Sequence, residues 1–223
     1  LAVVERGGFL HAPDMYMDKI AVGPQAKGSI DINATVGENI KEVAKALNKD
    51  VKEVTVVLLD KPRHRREGGL LDLIRATGAK IKLIDDGDVA GALATGIDNT
   101  GVDLLLGIGG APEGVIAAAG LKCLDGEMQA RLIPKTTEEI TRARKMGIKD
   151  VEKALKMEDL VSGSNVIFSA TGVTDGEMLE GVRFNHNQAV TNSVVMRSKT
   201  GTLRFVETIH NLNKKTLPGN KSF

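Results

Sequence analysis

A glycine-rich stretch with one carboxylate offers the clearest candidate for chemistry in this sequence. Residues 107–110 (GIGG) follow an apolar run at Val102–Leu106 and precede an alanine-rich helix that residues 111–114 (APEG) open. The glycines predict a tight turn that a ligand can approach closely, and a helix start after a buried strand exposes N–H groups to an anion. Glu113 places an acid at this anion site. It either stabilises the helix dipole or binds a metal ion that also contacts a phosphate.

Two more loops with charged side chains follow predicted strands. Residues 61–65 (KPRHR) follow the apolar run at 54–59, and residues 85–88 (DDGD) follow the run at 80–84. Because ligands of open α/β sheets bind beyond the carboxyl ends of the strands, we expect both loops to lie beside 107–113. Forked cationic donors suit phosphate, and carboxylates suit sugar hydroxyls or a hard cation. The three loops together predict a site for a phosphorylated polyol and a divalent metal.

Each loop taken alone also has a purely structural explanation. A basic run at a strand end is most often solvated, and Asp-Gly-Asp usually forms a turn with a helix cap. Standard nucleotide motifs are absent, because Pro112 stands where a dinucleotide fingerprint has its third glycine and no Lys-Ser/Thr follows. The histidines, His11, His64, His186 and His210, lack zinc-site spacing. The functional interpretation therefore depends on all three loops together.

Alternating strand and helix patterns position these loops. Three successive strand–helix units between residues 54 and 124 predict a parallel or mostly parallel sheet with helices on its faces. A helix that starts at Thr35 or Gly37 precedes them. The elements predicted after them are a strand at Glu127–Ile133, helices at Thr136–Met146 and Asp150–Met157, a strand at Asn165–Ser169 and a hairpin of Ala189–Arg197 with Thr202–Ile209.

Composition narrows the classes of partner. The 223 residues are 42% hydrophobic and 26% charged, as in ordinary globular proteins. A net charge of +1 gives no overall field to recruit nucleic acid or an anionic membrane, and no apolar run is long enough to span a bilayer. The single cysteine, Cys123, cannot form an internal disulfide and fits a reducing, cytoplasmic location. The polar tail at 211–223 is expected to be flexible.

Six blocks of this sequence resemble, in the same order, the class II fructose-1,6-bisphosphatases, some of which also hydrolyse sedoheptulose 1,7-bisphosphate. The blocks are APDMYMDKIAVGP (12–24), LDKPRH (59–64), DDGDVA (85–90), GIGGAPEGVIAAA (107–119), LDGEMQARL (124–132) and NVIFSATGVTDGEMLEGV (165–182). The resemblance covers residues 1–210. It implies an α/β fold, the layered α/β/α/β/α sandwich of the lithium-sensitive metal-dependent sugar phosphatases. It also implies Mg²⁺ or Mn²⁺ as cofactor and a homodimer or homotetramer.

The resemblance further implies a set of substrate contacts and one metal ligand. The implied substrate contacts are Tyr16, Lys61, Pro62, Arg63, Asp86, Gly87, Asp88 and Gly110, and the implied metal ligand is Glu113. The family's N-terminal Asp-Pro-Ile/Leu-Glu-Gly-Thr type motif supplies further metal ligands and a threonine that helps activate water. That motif does not occur here. Because the sequence also starts inside a strand-like run at Leu1, we expect it to be the larger, C-terminal portion of a longer catalytic unit.

The leading hypothesis is metal-assisted hydrolysis of the 1-phosphate of fructose 1,6-bisphosphate, in gluconeogenesis or Calvin-type sugar phosphate metabolism. A metal ion can polarise a phosphoryl oxygen and lower the pKa of bound water. Without the upstream ligands, this chain should show little or no phosphatase activity. A non-catalytic sugar-phosphate binding or regulatory domain fits the sequence as well. An inositol-phosphate phosphatase of the same superfamily is disfavoured by the KPR and DGD blocks.

Overall fold

The computed structural model describes residues 1–176 and 178–214. The strands are β1 (Ala2–Val3), β2 (Tyr16–Val22), β3 (Thr55–Leu59), β4 (Lys80–Ile84), β5 (Leu104–Gly110), β6 (Glu127–Ile133), β7 (Ile167–Thr171), β8 (Arg183–Asn185), β9 (Gln188–Arg197) and β10 (Thr202–Asn211). The helices are α1 (Val36–Ala46), α2 (Pro62–Arg65), α3 (Leu70–Thr77), α4 (Asp88–Ala94), α5 (Ala111–Cys123), α6 (Thr137–Lys145) and α7 (Met157–Leu160). In the described part, no helix has the length and apolarity to cross a membrane.

The first sheet has the strand order β4-β3-β5-β2-β6. Strand β3 pairs in parallel with β4 and β5, whereas β2 is antiparallel to β5 and to β6. Because β2 opposes both of its neighbours, β6 runs in the same direction as β5. The prediction of a mostly parallel sheet is confirmed. It follows that β3, β4, β5 and β6 all end at the same edge of the sheet.

Apolar residues cover both faces of this sheet. Val56 and Leu58 alternate with Val57 along β3, so that the first two pack with α1 and α3 while Val57 packs towards α4 and α5. Helix α5 also contacts β7 and β9 of a second, antiparallel sheet, with the order β1-β7-β9-β10 and β8 beside β9. The mixed α/β class is confirmed. Within the described residues the layers are α1 and α3, the first sheet, α4 and α5, and the second sheet.

The predicted starting point of α1 is confirmed in atomic detail. Thr35 is the N-cap, its hydroxyl accepts the Glu38 N–H, and the Glu38 carboxylate accepts the Thr35 N–H. This reciprocal pair satisfies two of the N–H groups that every helix start leaves open. Ile40 and Val43 then face the core from the same side of the helix.

Two local predictions were wrong. The expected turn at 107–110 is extended strand, because β2 continues to pair with β5 as far as Gly110. The expected helix at Asp150–Met157 is not formed, because Leu155 exchanges both backbone hydrogen bonds with Ala130 of β6, at 2.7 and 2.8 Å. Helical backbone at Leu155 would have to give up that pairing.

The predicted flexible tail lies only partly within the described residues. Asn211 ends β10, and residues 212–214 form a single 3₁₀ turn. The Leu212 N–H donates to the Asn187 carbonyl at 2.8 Å, which ties this turn to the end of the hairpin. Residues 211–214 are thus attached to the hairpin, residues 215–223 lie outside the described residues, and the flexibility of the tail stays a prediction.

Candidate functional site

An open cleft of about 590 Å³ lies at the sheet edge where β3, β4, β5 and β6 end. The predicted site residues that line it are Tyr16, Lys61, Arg63, Asp86, Asp88, Gly110 and Glu113. The other two have backbone positions beside the cleft, Pro62 as the first residue of α2 and Gly87 as the N-cap of α4. The three loops chosen from the sequence therefore meet at one place.

The KPRH loop is attached to β5 through the backbone of Ile108. His64 Nε2 accepts the Ile108 N–H at 2.9 Å, and Arg63 Nε donates to the Ile108 carbonyl at 2.8 Å. Among the described residues, strand β3 pairs with β5 at Val56 and Val57. Beyond that ladder, the side chains of His64 and Arg63 bond to the backbone of β5 instead. Arg63 is thereby held at the cleft.

His64 is a structural residue that the sequence analysis considered only as a zinc ligand. Its side chain is 1% exposed, and its Nδ1 lies 2.7 Å from the Leu59 carbonyl. Because Nε2 accepts a hydrogen bond from the Ile108 N–H, Nδ1 is the nitrogen that donates, and the ring is neutral. Burial lowers the pKa of His64 below its usual value, with the nearby Arg63 charge acting in the same direction. The basic loop thus rests on an uncharged imidazole.

The DGD loop turns through a left-handed glycine. Gly87 has φ 83° and ψ 51°, a conformation that costs other residues free energy, and it caps α4. Asp86 is exposed, and its Oδ1 accepts the Gly87 N–H at 3.0 Å. Asp88, the first residue of α4, forms an ion pair with Lys19 of β2. The two acids therefore have different environments, one open to solvent and one paired.

At Gly109 and Gly110 the missing side chains leave space that neighbouring side chains occupy. A Cβ at Gly109 would overlap the Asp88 carboxylate and lie 2.7 Å from Lys19 Nζ. A Cβ at Gly110 would overlap Glu113 Oε2. The strand can remain extended here because the missing side chains leave room for two carboxylates. The predicted turn at these glycines was wrong, whereas the close approach of a ligand to them stays a prediction.

Tyr16 lies at the centre of the cationic side of the cleft. It is paired with Gly110 of β5 and with Ile133 of β6. Lys135 Nζ is 4.1 Å from the centroid of its ring, and Arg63 Cζ is 5.1 Å from it. Both distances are within the range of cation–π attraction.

The loop and helix that follow β6 supply further cleft residues that the sequence analysis missed. Lys135, Glu139 and Arg142 all line the cleft, and Arg142 Nη2 donates to the Asp14 carbonyl at 2.7 Å. The strand at Glu127–Ile133 was predicted, but its carboxyl end was not included among the candidate loops. Applying the same strand-end rule to β6 would have found them.

Glu113 fits the role of one metal ligand but not of a complete metal site. It is exposed to the cleft in the first turn of α5, with its carboxylate above Gly110. Among residues 1–176 and 178–214, no group of three or more His, Cys, Asp and Glu side chains could hold a metal ion. Mg²⁺ usually keeps several waters and is bound through one or two carboxylates plus substrate phosphates. The described residues would therefore contribute to such a site without completing it.

Comparison with known proteins identifies the family of this chain. Residues 1–210 match the family described as bacterial fructose-1,6-bisphosphatase, glpX-encoded. The chain is 44% identical over 222 residues to a protein of Synechococcus sp. named D-fructose 1,6-bisphosphatase class 2/sedoheptulose 1,7-bisphosphatase, with 94% of this chain and 63% of the relative covered. A Crocosphaera subtropica protein of the same name is also 44% identical, with 64% of its length covered. The chain thus spans slightly less than two thirds of these relatives, and it belongs to the bacterial fructose-1,6-bisphosphatase family.

Proposed function

We propose that this chain forms the substrate-binding part of an enzyme that hydrolyses the 1-phosphate of fructose 1,6-bisphosphate, giving fructose 6-phosphate and phosphate. The observation that carries the proposal is the meeting of cationic, acidic and glycine loops in one cleft. The relatives bear the name of this activity. Sedoheptulose 1,7-bisphosphate, which is part of the same name, is the second substrate to test.

We assign the cations around Tyr16 to one phosphate of the substrate. Lys61, Arg63, Lys135 and Arg142 all line this cleft. Guanidinium groups present a planar fork that matches phosphate oxygens, whereas ammonium groups act as point charges. These residues orient the substrate and neutralise its charge, so they contribute to binding more than to the chemical step.

We assign the DGD loop to the sugar. Asp86 is exposed and offers carboxylate oxygens to hydroxyl donors. Asp88 uses Oδ2 for its ion pair with Lys19, so Oδ1 is the oxygen that we assign to a sugar hydroxyl. Gly110 lies between this loop and Tyr16 and lets the substrate approach the strand end.

We assign Glu113 to a divalent cation, Mg²⁺ or Mn²⁺, beside the phosphate that is removed. Such an ion supplies charge neutralisation and a water of lowered pKa. Within the described residues no group of three or more His, Cys, Asp and Glu side chains could hold the ion, and Glu113 is the ligand that we assign. The chain's own contribution to the reaction is therefore to bind and orient the substrate against that ion.

We further infer the five-layer sandwich of the lithium-sensitive sugar phosphatases, a cytoplasmic location and a homodimer or homotetramer. The four alternating layers support the proposed sandwich fold. Burial raises the pKa of the Cys123 thiol to about 11, which fits an inert cysteine. Within the described residues β10 pairs only with β9 and exposes Phe205 and Ile209, at 56% and 61%. An apolar edge strand of this kind supports association with a partner subunit.

A sugar-phosphate binding domain without catalysis is the second candidate, and the incomplete metal site among the described residues favours it. A phosphate-release assay on the full-length protein, with Mg²⁺ and Mn²⁺ titrated, separates the two. Release from fructose 1,6-bisphosphate but not from inositol 1-phosphate supports the proposed enzyme. Calorimetric binding of fructose 1,6-bisphosphate without release at any metal concentration supports the binding domain. Preferential hydrolysis of inositol 1-phosphate contradicts both.

A further inference from the structure

Lys19 is a buried residue that contacts both the DGD loop and the end of β5. It lies on β2 and is 3% exposed. Its ammonium donates to the Gly110 carbonyl at 2.9 Å and forms an ion pair with Asp88. Gly110 ends β5 immediately before α5, and Asp88 begins α4. One buried cation therefore connects the start of α4, which carries Asp88, to the end of β5, which precedes the helix that carries Glu113.

Glycines near the Lys19–Asp88 ion pair leave space for the two side chains. A Cβ at Gly109 would overlap the Asp88 carboxylate and lie 2.7 Å from Lys19 Nζ, and a Cβ at Gly114 would lie 3.5 Å from Lys19 Cδ. A lysine this deeply buried is costly unless its charge is paired and hydrogen-bonded. Both conditions are met here. Lys19 thus extends from β2 to contact both the start of α4 and the β5–α5 junction.

Lys19 acts through its neighbours and not on the substrate directly. The described residues that line the cleft include Asp88 and Gly110 but not Lys19. Removing the ammonium would leave a carboxylate that is 14% exposed without its partner, and the start of α4 would no longer be attached to Gly110. A displacement of about 1 Å at a substrate-orienting group can change rates by about 100-fold.

We propose that Lys19 is a positioning residue that fixes the Asp88 carboxylate relative to the first turn of α5. It thereby sets the spacing between the sugar-binding and metal-binding parts of the cleft. This inference rests on the proposed function, because it concerns how that same site holds a sugar bisphosphate. Lys19 carries no proton to or from the substrate in this role.

The test is a double-mutant cycle in the full-length protein, read as KM and kcat for fructose 1,6-bisphosphate at saturating Mn²⁺ or Mg²⁺. Lys19→Met keeps the length of the side chain and removes its charge, and Asp88→Asn removes the partner charge. Each single change should raise KM about tenfold or more, with a smaller change in kcat. The Lys19→Met/Asp88→Asn variant should have a KM within about threefold of that of Asp88→Asn, because both changes break one interaction.

Gly109→Ala is a second route to the same defect, because its methyl group displaces the ion pair without changing any charge. It should reproduce the rise in KM even if Lys19→Met does not fold. Two controls match these changes. Lys49→Met removes an ion pair to Asp103, 2.6 Å long, at the opposite end of β5. Gly37→Ala adds a methyl group whose nearest neighbour is Thr77 Cγ2, at 3.8 Å. Both controls should keep KM within about twofold of the unchanged protein.

The outcomes separate this inference from the proposed function. An unchanged protein that releases no phosphate from fructose 1,6-bisphosphate overturns the proposed function, and the inference with it. An active protein in which Lys19→Met or Gly109→Ala lowers thermal stability but leaves KM unchanged overturns only the inference. A KM for the double variant equal to the product of the two single effects also overturns it, since Lys19 would then act independently of Asp88. Raised and non-additive KM values support it.

Discussion

His64 and Ile108 are joined by a hydrogen bond from the backbone of β5 to a buried imidazole, with 2.9 Å between Ile108 N and His64 Nε2. The ring can accept this bond only while it is neutral. The same strand end carries Gly109 and Gly110, which adjoin the DGD loop and Glu113. The protonation state of one histidine is thus linked to the geometry of the basic loop and, through β5, to the rest of the cleft.

The stability of the protein should decrease at acidic pH in part because of His64. Burial lowers the pKa of His64 below its ordinary value of 6.5, so the unfolded chain takes up the proton at a higher pH than the folded one. The free energy of unfolding that depends on a neutral His64 is therefore fully present above about pH 6.5. It is lost as the pH falls through the pKa of His64 in the folded state. His64→Gln should flatten the decline of the melting temperature in this window, measured by circular dichroism. His11→Gln, at an exposed position, should leave the decline unchanged, and an equal slope in the His64 variant would refute the linkage.

Glu113→Gln tests the metal assignment. The change removes the negative charge from the cleft and keeps the shape of the side chain, so both turnover and the affinity for Mn²⁺ should fall, with kcat lower by about tenfold or more. Mn²⁺ titration calorimetry gives a readout that does not require activity. Glu42→Gln, on the exposed face of α1, is the control. Identical Mn²⁺ binding and activation in the Glu113 variant would remove this residue from the metal site.

Arg63 should matter chiefly for substrate binding. Arg63→Lys keeps the charge but loses the forked guanidinium and its bond to the Ile108 carbonyl, so KM should rise about tenfold while kcat changes less. Steady-state kinetics with fructose 1,6-bisphosphate measure both constants. Arg75→Lys, in an exposed pair with Asp72, is the matched comparison. A larger loss in kcat than in KM would assign Arg63 to the chemical step instead.

Lys135 tests the part of the cleft that the sequence analysis did not identify. Its ammonium stands 4.1 Å from the centroid of the Tyr16 ring, and Lys135→Met should raise KM several-fold by removing one cation from the phosphate end. The effect should shrink as ionic strength increases, because salt screens exposed charges. Lys41→Met, on α1, provides the comparison. A KM that matches that of Lys41→Met at low salt would exclude Lys135 from the phosphate site.

Gly87→Ala tests the backbone requirement of the DGD loop. With φ at 83°, alanine should cost about 1–2 kcal/mol of unfolding free energy, measured by urea denaturation. The added Cβ meets Ala90 at an ordinary 3.9 Å, so the cost is conformational and not steric. Gly37→Ala, in the first turn of α1, should lack this cost because Gly37 has no positive φ. Equal stability of the Gly87 variant and the unchanged protein would show that the loop adopts another conformation.

Local pattern in the sequence was enough to predict the strand–helix units, the start of α1 at Thr35 or Gly37 and the three loops at the strand ends. Each of these depends on residues close together in the chain, through periodicity, capping and turn chemistry. The loops could be grouped because parallel strands joined by helices must end at one edge of a sheet. The six family-like blocks added the assignment of roles, including that of Glu113.

Only the tertiary structure decided which side chains hold these loops together. Strand β2 comes early in the chain yet lies between β5 and β6, and no local periodicity specifies that strand order. This insertion brings Lys19 to Asp88, 69 positions away in the chain, and keeps residues 107–110 in an extended strand where the glycines had suggested a turn. Pairing with β6 likewise overrode the predicted helix around Leu155. The types of residue that line the cleft could therefore be recognised from local sequence. Their arrangement depends on contacts between distant parts of the chain.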